Sequence, residues 1–192
     1  MVINMISKLA KYISYYLSQN GGIPENQQIY AYGLECFINE LISDILLLLC
    51  GIITHKSVQL FIWCISFTLI RINLGGFHAS THARCIFLGT FLAIVNLYIS
   101  PIWMVSYPWS AALLICFSLF IAVHYAPIVH KNHPVSKIKT KKAKRNAIIF
   151  ILLEGIIGFL LFPYLTEYIA YIFSAMLTAL IMALVTILKI SS

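Results

Sequence analysis

Charge is scarce in this chain. Charged residues make up 10% of its 192 positions, and only six are Asp or Glu. Ordinary soluble domains carry about 25% charged residues. The chain is 61% hydrophobic with a mean hydropathy of +0.92, so too little polar surface exists to wrap the apolar mass in water. That composition excludes a disordered chain and argues against a soluble globular domain. Nine glycines and six prolines exclude a collagen-like fibre. Cysteine is also sparse: Cys36, Cys50, Cys64, Cys85 and Cys116 form an odd set without a CxxC pair. Neither a disulfide framework nor a zinc site is indicated, and no cofactor or metal is expected. Residues 1–20 lack a continuous apolar core before a small-residue cleavage site, so they do not read as a signal peptide. The class that remains is an integral membrane protein of one domain.

What is present is apolar periodicity and positive charge. Ile3, Ile6, Leu9, Ala10, Ile13, Tyr16 and Leu17 recur at helical spacing, with Lys8 and Lys11 among them. Residues 1–20 therefore read as an amphipathic helix, lying on the cytoplasmic leaflet or packed on the bundle. Asn20-Gly21-Gly22-Ile23-Pro24 ends it. Six apolar segments follow, at 36–54, 57–70, 85–105, 110–129, 146–165 and 168–188. The last four are about 20 residues long, enough to cross ~30 Å of hydrocarbon. Segment 57–70 is short, and either crosses with help from its polar flanks or re-enters. The fold class expected is all-α: a polytopic transmembrane helical bundle of about six membrane segments plus the N-terminal helix. Residues 31–190 form its single transmembrane domain, with cytoplasmic loops at 71–84 and 130–145.

The net charge of +7 is better read as topology than as a nucleic-acid surface. With the N-terminus inside, the cytoplasmic side receives Lys8, Lys11, Arg71, Arg84, Lys131, Lys137, Lys139, Lys141, Lys142, Lys144, Arg145 and Lys189. Only Lys56 falls outside. The positive-inside rule selects that orientation, with both termini and the 71–84 link in the cytoplasm of a multi-pass cell-membrane protein.

The link 71–84 reads RINLGGFHASTHAR and leads into Cys85. Gly75-Gly76 permits conformations and close approaches that other residues resist. His78 and Cys85 are seven residues apart, which on one continuous helix would separate their Cα atoms by ~10.5 Å. Contact between them requires the helix to start after His78, so that the link folds back. A helix N-terminus, a protonated His78 or the neighbouring Arg84 would each favour the thiolate of Cys85. A Cys–His pair is a minimal kit for acyl transfer. By spacing alone His82, three residues before Cys85, is as good a base as His78.

The stretch Arg71…Gly75-Gly76-Phe77-His78-Ala79…Cys85 resembles the active-site region of the AgrB family of membrane cysteine endopeptidases. Tyr32-Gly33-Leu34-Glu35 is similar to the family's entry to its first span. Tyr125-Ala126-Pro127, followed by His133-Pro134 and a Lys-rich run, is similar to its central region. The resemblance covers nearly the whole chain. It implies Cys85 as nucleophile and His78, not His82, as base, with no familiar third member. It further implies a quorum-sensing role: cleavage of an AgrD-type propeptide on its C-terminal side, release of the tail, and closure of a thiolactone or lactone ring. Arg71, Gly75, Gly76, Glu35, Lys141 and Lys142 become candidates for binding substrate or shaping the site. A homodimer is implied as well. Partners are then the propeptide and membrane lipids, with no nucleic acid.

Other polar residues have structural roles open to them. Glu40 and Asp44 lie four apart on one helical face, suited to an ion pair or to orienting His78. Glu154, beside Gly155 and Gly158, suits a hydrogen bond across a closely packed bundle. The alternative reading is a small transporter using Glu154, His124 and Asp44 as an ion path. No inverted repeat supports it, and it leaves the His–Cys link unexplained.

Overall fold

The computed structural model describes residues 2–20, 25, 27–75, 82–128 and 137–191. Among them six helices form and no strand: α1 (Val2–Gln19), α2 (Gln27–Ile53), α3 (Ser57–Leu74), α4 (His82–Ser106), α5 (Ser110–Tyr125) and α6 (Lys137–Ser191). The chain is a helical membrane protein, as its composition requires. Lipid offers backbone groups no hydrogen bonds, and a helix satisfies them within one segment. Four helices are long and apolar enough to cross, namely α2, α3, residues 86–106 of α4 and residues 140–188 of α6.

Several boundaries depart from the sequence expectation. Segment 57–70 extends to Leu74, giving 18 continuous helical residues. At 1.5 Å per residue that is ~27 Å, close to a full crossing. The polar residues of its last turn are absorbed: the Arg71 guanidinium lies 5.3 Å from the Phe67 ring centroid, and Asn73 Nδ2 donates to Leu69 O at 2.8 Å. The expected loop 71–84 is therefore shorter, since Arg71–Leu74 belong to α3 and His82–Arg84 to α4. The expected loop 130–145 is likewise helical from Lys137 onward. Lysine is a good helix former, and clustered charge had disguised that. Segment 110–129 shrinks to 16 residues, because Ala126 is extended (φ −74°, ψ 145°) ahead of Pro127. The last two segments join as α6, interrupted where Leu165 leaves helical geometry (φ −133°, ψ 40°) two residues after Pro163. Thr166 Oγ1 donates to Phe162 O at 2.7 Å across that bend.

The helices cluster into two compact units, Met1–Cys50 with His78–Phe91, and Gly51–Phe77 with Leu92–Ser192. In the first, α1 buries Ile6, Ala10, Ser14 and Ser18, while α2 leaves Phe37, Leu41, Ile45, Leu48 and Leu49 exposed, a surface suited to lipid. In the second, α3 and α5 both pack along α6. Leu60, Trp63, Ser66, Phe67, Ile70 and Leu74 form the buried face of α3 at helical spacing. Trp63 stacks on Phe67 with centroids 4.8 Å apart. α5 approaches α6 at Gly155, where an added Cβ would stand 2.9 Å from Ile115 Cδ1.

Proline inside an apolar helix removes a backbone donor. In α4, Pro101 has no N–H for the carbonyl of Leu97, four residues earlier. The Tyr171 hydroxyl of α6 supplies the missing donor, reaching Leu97 O at 3.1 Å. Nearby, Asn96 Nδ2 donates both to Leu92 O at 2.8 Å and to Thr178 Oγ1 at 3.1 Å.

Candidate functional site

Of the two residues expected to carry the chemistry, the structure describes the backbone of one. His78 and the neighbouring Gly76 lie outside the described residues. Cys85 is the fourth residue of α4, whose helix opens at His82. The link between Gly75 and His82, where a fold-back would occur, lies outside the described residues.

On the near side of the link, α3 ends in a backbone contact with the chain that leaves α5. Gly75 caps α3 with φ 80° and ψ −170°, a region that L side chains rarely enter. Its N–H bonds Arg71 O at 2.9 Å. Ile128 N–H donates to Leu74 O at 2.9 Å, pairing Gly75 and Ile128 as an isolated parallel bridge. A Cβ at Gly75 would run into the Ile128 carbonyl oxygen and stand 2.9 Å from its nitrogen. Both the conformation and the space at this position therefore require glycine. Ile128 gave no signal in the sequence beyond following Pro127.

The remaining candidates fall on regular helix. Arg71 is half-buried on the last turn of α3, one hydrogen bond from Gly75. Glu35 is half-buried on the third turn of α2, with Glu40 and Asp44 further along it. Lys141 and Lys142 are exposed near the start of α6. The structure brings Arg71 and Gly75 together; Glu35 belongs to the unit that contains Cys85.

Of the polar residues offered for an ion path, Glu154 finds a hydrogen-bond partner and His124 a ring contact. Ser66 Oγ donates to Glu154 Oε2 at 2.6 Å, joining α3 to α6. Glu154 is 6% exposed, and its Oε1 has no hydrogen-bond partner among the described residues. Gly158, one turn on, lies against the Phe173 ring. This is the bonded, small-residue packing expected for Glu154. His124 is exposed on α5, its ring 4.6 Å from that of Phe120.

Comparison with known proteins decides the family. The profile of Accessory gene regulator B matches residues 7–188. The chain belongs to the AgrB family. It is 25% identical over 158 residues to AgrB-like protein 2 of Clostridium perfringens (strain 13 / Type A), covering 79% of this chain and 72% of that protein. It is 26% identical over 155 residues to an AgrB-like protein of Clostridium perfringens (strain SM101 / Type A), covering 77% and 72%. No solved structure matches. Membership in the AgrB family supports an accessory gene regulator role for this membrane protein.

Proposed function

We propose that this AgrB-family protein is a membrane cysteine endopeptidase that matures an AgrD-type signalling propeptide. The observation that carries the reading is membership of the AgrB family over residues 7–188, with Cys85 on α4 seven residues after His78. In the proposed reaction, His78 takes the thiol proton and the Cys85 thiolate attacks the scissile carbonyl. The C–N bond breaks, His78 returns the proton to the leaving amine, and the retained fragment stays on Sγ as a thioester. A Cys or Ser side chain of that fragment, its proton taken by His78, then attacks the thioester carbonyl. Cys85 departs as thiolate, and a thiolactone or lactone ring closes.

Ring closure must outrun hydrolysis. A site at the membrane boundary keeps water scarce. Holding the fragment on the enzyme also turns a bimolecular attack into a local one. Arg71 and Glu35 are offered as substrate-binding groups, Gly75 and Gly76 as backbone that shapes the link, and Lys141 and Lys142 as a docking surface for an acidic tail. The charge distribution favours cytoplasmic termini and a cytoplasmic site. A homodimer fits the family resemblance.

The test is co-expression with the candidate propeptide and intact mass analysis of the membrane protein, beside Cys85→Ala. The expected result is a peptide adduct on the wild type, labile to hydroxylamine and absent from the variant. Normal processing by Cys85→Ala would end the protease reading.

A further inference from the structure

α1 buries the wrong face for an ordinary amphipathic helix. At 100° per residue its apolar sector is centred between Leu9, Ile13 and Ile6. The residues it buries are Ile6, Ala10, Ser14 and Ser18, a row at four-residue steps rotated away from that sector. The two serines tolerate burial because each satisfies its hydroxyl within the helix. Ser14 Oγ donates to Lys11 O at 2.9 Å and Ser18 Oγ to Tyr15 O at 2.8 Å. The consequence is an uncovered sector in which Leu9 is 49%, Tyr12 72%, Tyr15 55% and Tyr16 61% exposed.

That sector is graded. Lys11, Tyr15 and Lys8 lie along one edge, Tyr12 in the middle, and Tyr16 and Leu9 along the other, when the positions are laid out at 100° per residue. Both lysines are exposed, and α1 contains no Asp or Glu. At 18 residues α1 equals α3 in length, yet it is not among the helices apolar enough to cross.

We infer that α1 lies in the plane of the bilayer surface and docks on anionic phospholipid. The Leu9–Tyr16 edge reaches the acyl boundary, and Lys8 and Lys11 meet the headgroup phosphates. Tyrosine favours that boundary because its ring is apolar and its hydroxyl is wet. Two lysines without a neighbouring acid give attraction to a negatively charged surface. The inference stands apart from the peptide chemistry.

Hydroxyl-radical footprinting of the full chain tests it. The protein is reconstituted in nanodiscs of phosphatidylcholine, with and without phosphatidylglycerol, and oxidation is read at each tyrosine. The expected result is several-fold lower oxidation of Tyr12 and Tyr16 when phosphatidylglycerol is present, with Tyr15 protected less. Lys8→Gln/Lys11→Gln should remove most of the lipid dependence, and a folded control is its unchanged oxidation at the buried Tyr171. Equal oxidation in both lipids would overturn the inference. So would protection that follows protein-to-lipid ratio, which would assign the face to a second copy.

Discussion

Tyr171→Phe removes one oxygen atom and keeps the ring. In wild type that oxygen gives Leu97 O its donor, because Pro101 cannot. Tyr171 is fully buried and Leu97 is 1% exposed, so water does not replace the lost bond. A buried group left without a partner costs about 1–3 kcal/mol. Side-chain hydrogen bonds within membranes average nearer ~0.6 kcal/mol, because alternatives are usually found. Here the carbonyl has lost its only backbone donor, so a cost of about 1–2 kcal/mol is expected from those two ranges. Pro101→Ala returns an N–H to the helix and should make the Tyr171 hydroxyl largely redundant. The assay is reversible unfolding in bicelles, read as a double-mutant cycle of Tyr171→Phe with Pro101→Ala. A coupling of about 1 kcal/mol is expected. Equal losses for Tyr171→Phe in the wild-type and Pro101→Ala backgrounds would refute the reasoning.

Gly75→Ala should abolish propeptide processing while leaving helix content by circular dichroism unchanged, since the added methyl meets the Ile128 backbone at a φ of 80°. Retained processing would remove the bridge from the site. His78→Ala should stop turnover and His82→Ala only slow it, as measured by propeptide cleavage; the reverse ranking would transfer the base role. Glu154→Gln should preserve the melting temperature in detergent, because an amide oxygen still accepts from Ser66 Oγ at that position. Ser66→Ala strands both carboxylate oxygens and should cost about 1–3 kcal/mol.

Much of the helical plan was legible because apolar runs in a membrane protein have few alternatives to helix. Boundaries were harder. Arg71 and Asn73 looked like the start of a loop, but the first lays its guanidinium by Phe67 and the second bonds back to Leu69. Lys137, Lys139, Lys141 and Lys142 looked like a loop because like charges repel, yet all four are helical, and the exposed Lys141 and Lys142 are accommodated at the surface of α6. The gap between segments 146–165 and 168–188 falls beside the bend at Leu165, but that bend is absorbed within one element. Long-range pairs carried no local signature. Pro101 announces a free carbonyl at Leu97, but nothing in the chain nominates a tyrosine 70 residues beyond it. In the same way, a glycine at 75 announces a close approach without naming Ile128.

The bridge between Gly75 and Ile128 gives two departing segments a common root. Two residues of chain lie between Gly75 and His78, and two between Ile128 and Lys131. Segments that start from one hydrogen-bonded point meet each other far more often than independent ones, since most of the entropy of bringing them together is already spent. The fold thus fixes the starting points of both segments at one hydrogen-bonded pair. Length, rather than residue identity, then becomes the sensitive variable. A residue inserted between Gly75 and His78, or between Ile128 and Lys131, shifts the reach of one arm against the other without touching any group that reacts.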